Sequence, residues 1–157
     1  MLGAIAGGLV SGFLGGAVAV EYRTRRDKCS ELNNWYGEVI RYSTQIENAI
    51  PEDWLEYLEG DMEDFDNADV RNDRKEQMDS ELGELARKLR AHLDNAPADV
   101  PSEIVKKMDE SARKCEMASE NRGQVKLGTV HDAYISLTSA KEKSEDEQDN
   151  IGWIFIS

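Results

Sequence analysis

The segment formed by residues 2–20 constrains this chain more than any other feature, because it contains no charged residue. A helix rises 1.5 Å per residue, so about 19 residues reach roughly 28 Å, close to the hydrocarbon thickness of a bilayer. The rest of the chain is polar and acidic, and its apolar residues recur at helical spacing. We therefore predict an all-α protein with a single N-terminal transmembrane helix and an acidic helical bundle.

Four basic residues follow the apolar segment closely and are called here the basic flank: Arg23, Arg25, Arg26 and Lys28. A flank of this kind usually remains on the cytoplasmic side of a membrane and thereby sets the topology. The sequence therefore predicts a single-pass protein of the cell membrane. Its N-terminus is expected outside, and its helical domain in the cytoplasm.

A second interpretation of the apolar segment is a cleaved signal peptide. Ala17-Val18-Ala19 has the small-x-small pattern that precedes cleavage sites, and cleavage would leave a secreted or surface-associated helical protein. A signal peptide usually begins with a basic region, whereas here only the amino terminus supplies positive charge. The membrane anchor is therefore the preferred prediction. A helix lying on the membrane surface or buried in protein is a third interpretation.

Small residues within the apolar segment recur every four positions and form two neighbouring rows on a helix. The two rows are Gly8, Gly12 and Gly16, and Gly3, Gly7, Ser11 and Gly15. In lipid, rows of small residues let two helix backbones approach closely, which favours association. The sequence therefore predicts a homo-oligomer held together by the membrane helix. The simpler alternative is that glycine is common in membrane helices.

Apolar residues spaced three and four apart predict about four helices in the polar part of the chain. No glycine or proline lies between Gly16 and Gly37, so the membrane helix is expected to continue as one long rod. Further helices are predicted after Pro51, over about 72–95, from Pro101 and over 128–140. In the last of these, helix is preferred to strand because the apolar spacing is helical and no strand partner is available.

Composition divides the chain into three parts: an anchor over 1–20, a bundle over 21–144, and an acidic connector with an apolar tail over 145–157. The tail contains Trp153, Ile154 and Phe155 and is too short to span a bilayer. Three interpretations of the tail remain open. It packs on the bundle, enters the membrane interface, or binds a protein partner.

The net charge of −13 argues against nucleic acid as a partner, because phosphates repel an acidic surface. The expected partners are the membrane, further copies of the chain and an unidentified protein. An acidic excess is also typical of proteins from high-salt habitats, although nine of the 19 basic residues here are lysine.

No residue pattern predicts catalysis, a cofactor or a metal site. The acidic residues between 61 and 73 lack the glycine and glutamate that a calcium loop needs at its sixth and twelfth positions. Cys29 and Cys115 stand outside any zinc-ligand spacing, and His92 and His131 have no partner ligand nearby. We therefore predict a non-enzymatic interaction or scaffold module.

Overall fold

The computed structural model describes the backbone of residues 3–51, 72–120 and 124–154, and the side chains of 20–51, 76–120 and 128–151. These ranges contain four helices and no strand, which confirms the predicted all-α class. The helices are α1 (Gly3–Ala49), α2 (Asn72–Leu93), α3 (Ser102–Glu120) and α4 (Gln124–Ile154). The helix predicted directly after Pro51 lies outside the described residues.

Helix α1 is one uninterrupted rod of 47 residues, as the sequence predicts. Between Gly16 and Gly37 it contains neither glycine nor proline, the two residues that most weaken a helix interior. It ends at Ala49 because the residue before a proline is disfavoured in the helical conformation, and Pro51 follows Ile50.

The four helices form a closed ring in which each helix packs on the next and α4 returns to α1. Contacts at two levels of each helix pair give their relative directions. Residue 35 of α1 meets 92 of α2, whereas residues 45 and 48 lie beside 81 and 84. Residue 83 of α2 meets 119 of α3 and 90 meets 109, and residue 114 of α3 meets 132 of α4 and 103 meets 143. Residue 33 of α1 meets 148 of α4, and residue 29 shares a cavity with 151. Neighbouring helices are therefore antiparallel, and the fold is an up-down-up-down four-helix bundle.

One apolar core fills the bundle, and the predicted stripes supply it. The largest apolar side chains that are fully buried or nearly so are Tyr36, Val39, Ile46, Met78, Leu82, Leu89, Ile104, Met108, Cys115, Val130 and Leu137. Helices α3 and α4 have the most extensive contact of any pair. Small buried residues, among them Ala112 and Ala133, allow the two helices to approach closely.

Helix α4 extends beyond the predicted segment 128–140 and continues through the charged connector to Ile154. Ser144 is fully buried within this extension, and its hydroxyl donates to the Ala140 carbonyl oxygen at 2.8 Å. The extension lies against α1, because Gln148 contacts Asn33. The acidic connector is therefore part of the bundle wall rather than a separate linker.

No helix in the part of the chain that the structure describes has a stretch long and apolar enough to cross a membrane. The side chains of residues 1–19 lie outside that part. The membrane span predicted for residues 2–20 is therefore not confirmed and remains a prediction.

Candidate functional site

An open cavity of about 560 Å³ lies between α1 and the C-terminal end of α4. Its lining residues are Tyr22, Arg26, Cys29, Ser30, Asn33, Gln148 and Ile151. The five residues from α1 follow one another at three or four positions, except for the adjacent Cys29 and Ser30, so they form one stripe along that helix. The cavity lies next to the apolar N-terminal segment, on the side of the bundle where α4 ends.

A polar contact between α4 and α1 forms part of the wall of this cavity. The Gln148 side-chain amide donates from Nε2 to the Asn33 carbonyl oxygen at 2.9 Å. One turn further along α1, a Cβ added to Gly37 would lie 3.8 Å from the same nitrogen, which is ordinary contact. Gln148 therefore lies close over the α1 backbone and holds the end of α4 beside it.

Among the described residues of the cavity lining, Arg26 is the one that carries a charge. Positions three and four residues away from it on α1 carry no carboxylate, since they are Arg23, Cys29, Tyr22 and Ser30. Among the residues whose side chains are described, Arg26 forms no ion pair. Its guanidinium is therefore available to a ligand.

The other members of the basic flank have acidic neighbours at helical spacing. Arg25 pairs with Glu21 at 2.6 Å, where both side chains are mostly exposed. Asp27 follows Arg23 by four positions, and Glu31 follows Lys28 by three. Residues at these spacings lie on the same face of a helix. All four basic side chains are exposed, but only that of Arg26 enters the cavity.

A second, smaller cavity of about 260 Å³ lies between α1 and α2. Its cation, Lys88, pairs with Glu84 at 2.8 Å on the same helix. This pair lowers the pKa of Glu84, through the hydrogen bond from Lys88 first and its charge second. Glu81, the other carboxylate among the described lining residues, accepts a hydrogen bond from Gln77 at 2.8 Å. The cation of the smaller cavity is thus paired within the chain, which makes this cavity the weaker candidate for a binding site.

An aromatic cluster joins α1 to the end of α2. The Trp35 indole nitrogen donates to the His92 carbonyl oxygen at 3.4 Å, and the His92 ring nitrogen Nε2 lies 3.1 Å from the Trp35 carbonyl oxygen. The two rings stack with centroids 4.7 Å apart, and Tyr42 meets His92 edge-on at 5.4 Å. Because the Trp35 oxygen can only accept, Nε2 carries the proton in this contact.

Burial is the main cause that lowers the pKa of His92 below 6.5. The hydrogen bond to Trp35 and the charge of Glu38 oppose this shift, whereas Arg41 adds to it. The imidazole is therefore mainly neutral at pH 7. It fastens the last turn of α2 to α1 through its contacts with Trp35.

Two other buried groups of the core are also uncharged at neutral pH. Burial raises the pKa of Tyr36 to about 12, with the negative charges of Glu147 and Asp99 adding to the effect. Burial likewise raises the pKa of Cys115 to about 12, and Cys29 and Cys115 are both free. Within the described ranges, no three His, Cys, Asp or Glu side chains are arranged to hold a metal ion.

The sequence-predicted site residues are only partly within the described structure. Residues 3–16, which contain both glycine rows, belong to α1, but their side chains are not described. The backbone of Trp153 and Ile154 forms the end of α4, and Phe155 lies outside the described residues. Because α4 runs antiparallel to α1, its end returns to the level of the basic flank, where Ile151 and Arg26 line the same cavity.

Sequence reasoning missed most of the cavity lining, namely Ser30, Asn33, Gln148 and Ile151. The absence of carboxylates around Arg26 was a readable signal, because helical spacing fixes which residues surround it. The contribution of α4 was not readable, since Gln148 is 115 positions from Asn33 and no short-range pattern links them.

Comparison with known proteins gives no match: no family model, no curated protein and no solved structure is similar to this chain. Antiparallel four-helix bundles also carry many unrelated functions, so the architecture by itself defines no activity. A functional proposal therefore rests on the cavity, on the unpaired Arg26 that lines it, and on the uncharged segment at the start of α1.

Proposed function

We propose that this protein is a small single-pass membrane-anchored interaction or scaffold module. Its glycine-rich membrane helix associates with further copies, and its acidic bundle faces a protein partner in the cytoplasm, with the N-terminus outside. The observation that carries the proposal is the continuity of α1. One helix leads from the uncharged segment, through the basic flank, into the bundle core.

The stretch of α1 that precedes the bundle core has the character of a membrane-proximal segment. Residues 20–31 are exposed except for the half-buried Cys29, and they extend about 18 Å along the helix axis. Val20 and Tyr22 are large apolar residues with 67% and 64% of their surface exposed. Exposed apolar and aromatic residues beside a basic flank are typical of the membrane interface.

The bundle is suited to a protein partner rather than to the membrane surface. The net charge of −13 makes anionic headgroups and nucleic acid unfavourable neighbours for most of its surface. A rigid helical connection holds this acidic surface at a fixed distance from the bilayer. The partner expected on electrostatic grounds presents a basic surface.

Labelling of a single exposed cysteine tests the topology. In a Cys29→Ser background the one native thiol left is Cys115, which is fully buried. Ala98→Cys then adds a reporter in the exposed turn between α2 and α3. A membrane-impermeant maleimide should label this reporter only after cells are permeabilised. Labelling in intact cells would place the bundle outside and overturn the proposed topology.

The intact mass of the membrane-extracted chain separates the anchor from the cleaved signal peptide. The anchor predicts a mass that includes residues 2–20 and resistance to extraction by alkaline carbonate. A mature chain that begins near Val20 would overturn the anchor and favour the secreted or surface-associated alternative.

Leucine substitutions test self-association. We expect the triple variant Gly8→Leu, Gly12→Leu, Gly16→Leu to be monomeric in detergent and the wild type to be oligomeric. The matched control Ala6→Leu, Ala17→Leu, Val20→Leu changes a helix face that neither row of small residues occupies, and it should keep the wild-type mass. Equal masses for all three proteins would remove the row of Gly8, Gly12 and Gly16 from the proposal.

A further inference from the structure

We propose that the cavity between α1 and α4 binds the phosphate of an anionic lipid headgroup, with Arg26 as the cation that recognises it. This inference rests on the proposed function, because it requires that the cavity lie at the membrane surface. It goes beyond the proposed function because it assigns a class of ligand to the cavity and one residue, Arg26, to its recognition.

The charge of the lining indicates the sign of the ligand. Arg26 contributes the one formal charge among the described lining residues, and no described carboxylate pairs with it. A cation, or a ligand of high positive charge, would meet no counter-charge in the lining. A phosphodiester carries one negative charge, which matches one unpaired guanidinium, and arginine can bind phosphate oxygens through two parallel hydrogen bonds.

The neutral groups around Arg26 can complete such a site. The Ser30 hydroxyl and the Asn33 side-chain amide both line the cavity and can donate hydrogen bonds to phosphate oxygens. Gln148 donates a hydrogen bond from Nε2 to the Asn33 carbonyl oxygen, and this contact keeps the α4 wall of the cavity in place. Ile151 supplies an apolar surface for the glycerol end of a lipid. The volume of about 560 Å³ is typical of a site for a small molecule.

The position of the cavity favours a lipid over free phosphate. Tyr22, at the end nearest the apolar segment, is largely exposed and lines the cavity as well. Glu147 and Asp149 flank Gln148 on α4, and their charge opposes an anion that arrives from solution. A headgroup held at the membrane surface has a high effective concentration, which compensates for this repulsion.

Native mass spectrometry of the full chain in detergent micelles tests the proposal with phosphatidylglycerol, phosphatidylcholine and soluble glycerol phosphate as probes. We expect a preference for phosphatidylglycerol over both other probes. Arg26→Gln should weaken phosphatidylglycerol binding about tenfold, since a hydrogen bond to a charged group is being removed. Arg26→Lys, which keeps the charge, should restore part of the binding.

Arg23→Gln is the matched control, because it removes the same charge from the same helix at an exposed position outside the cavity lining. It should weaken binding no more than about fivefold, the contribution of one basic residue near an anionic surface. If both variants lost the same amount of phosphatidylglycerol affinity, the specific site at Arg26 would be overturned, and general electrostatic attraction would explain the binding. Glycerol phosphate binding as tight as that of phosphatidylglycerol would overturn the lipid as the ligand.

Carbonate extraction of the same preparations separates failure of this inference from failure of the proposed function. An integral wild-type chain with equal lipid binding by both variants overturns the lipid site alone. A chain that carbonate releases from membranes overturns the anchor and, with it, the assignment of a lipid to the cavity.

Discussion

Helix α1 consists of two described segments that differ sharply although they share one continuous backbone. In the proximal segment, residues 20–34, only Cys29 and Leu32 are even partly buried. In the core segment, residues 35–49, Tyr36, Val39 and Ile46 are almost completely buried, and their neighbours Trp35 and Tyr42 pack on α2.

The difference between the two segments shows that a residue can be helical without contributing to the packing of the bundle. Packing of an apolar face supplies most of the stability of a protein helix, whereas propagation from an existing helix costs little. The core segment is stabilised by packing, and the proximal segment continues it by propagation. We therefore expect substitutions in the core segment to change the free energy of unfolding, and substitutions in the proximal segment to change contacts with ligands or lipid.

The largest effect is expected for Ile46→Ala. Ile46 is fully buried, and truncation of a buried isoleucine removes apolar contacts and leaves a cavity. The free energy of unfolding should fall by about 2–5 kcal/mol. Urea denaturation of the detergent-solubilised full chain, followed by circular dichroism, measures it.

The matched control in the proximal segment is Tyr22→Ala, because Tyr22 is a larger apolar residue on the same helix but is 64% exposed. The Tyr22→Ala substitution should lower the free energy of unfolding by no more than about 0.5 kcal/mol. A loss comparable with that of Ile46→Ala would show that the two segments do not differ in the way the burial pattern indicates.

A smaller effect is expected for Trp35→Phe at the border between the two segments. The substitution removes the 3.4 Å hydrogen bond from the indole to the His92 carbonyl oxygen and part of the stacking on the imidazole. The His92 oxygen keeps the bond from the Asn95 amide at 3.2 Å, so the loss should be about 1–2 kcal/mol. Urea denaturation measures it.

Tyr42→Phe is the control for the cluster. It keeps a ring against His92 and removes a hydroxyl that makes no hydrogen bond to a described residue, so the free energy of unfolding should fall by less than about 0.5 kcal/mol. If Tyr42→Phe lowered the free energy of unfolding strongly and Trp35→Phe did not, the phenol of Tyr42 and not the indole of Trp35 would hold α2 against α1.

Helical periodicity predicted the core segment and the later core residues well. In the described helices most residues of the apolar stripes are buried as their spacing requires, for example Met78, Leu82 and Leu89 on α2. Helix ends were less accurate: α2 ends at Leu93, two residues before the predicted boundary. The local turn decides this end, where the Asn95 and Ala96 amides bond to the His92 and Leu93 carbonyl oxygens.

The candidate site was predictable only in its α1 half. Helical spacing alone determines that Arg26 has no carboxylate beside it, whereas Arg25 has Glu21. The α4 half depends on a helix that continues through the charged connector, whose composition is compatible with both helix and disorder. Burial of Ser144 and the contact of Gln148 with α1 decide in favour of helix, and both arise from tertiary packing.

A pH effect is expected from the same cluster, smaller than the loss of its hydrogen bonds. Because burial lowers the pKa of folded His92 below the ordinary 6.5, the unfolded chain binds the proton first as the pH falls. The stability contributed by neutral His92 is thus present above pH 6.5 and is lost as the pH falls from there toward the lowered folded value. Unfolding free energies at several pH values in this range measure it.

His92→Phe is the comparison for this pH effect, because it removes the titrating group and keeps an aromatic ring. The difference in stability between wild type and variant should shrink as the pH falls through the stated window. A difference that grows toward acid pH would mean that protonated His92 is stabilised, by Glu38 for example, and that the direction of the pKa shift is wrong.

The smallest effect is expected in the proximal segment itself, for Arg25→Gln. Arg25 pairs with Glu21 one turn away at 2.6 Å, but the two side chains are 76% and 65% exposed. Water and salt screen such a pair, so its removal should cost about 0.3–0.5 kcal/mol at low ionic strength and less in high salt. Thermal unfolding monitored by circular dichroism at two salt concentrations measures this difference.

Arg26→Gln sharpens the comparison, because it removes the same charge from the neighbouring position where no ion pair exists. Its effect on stability should be smaller than that of Arg25→Gln, whereas its effect on anionic lipid should be much larger. A cost above about 1 kcal/mol for either variant would exceed what an exposed pair supplies. The proximal segment would then be coupled to the folding of the bundle, and α1 would act as one structural unit rather than as two segments with separate roles.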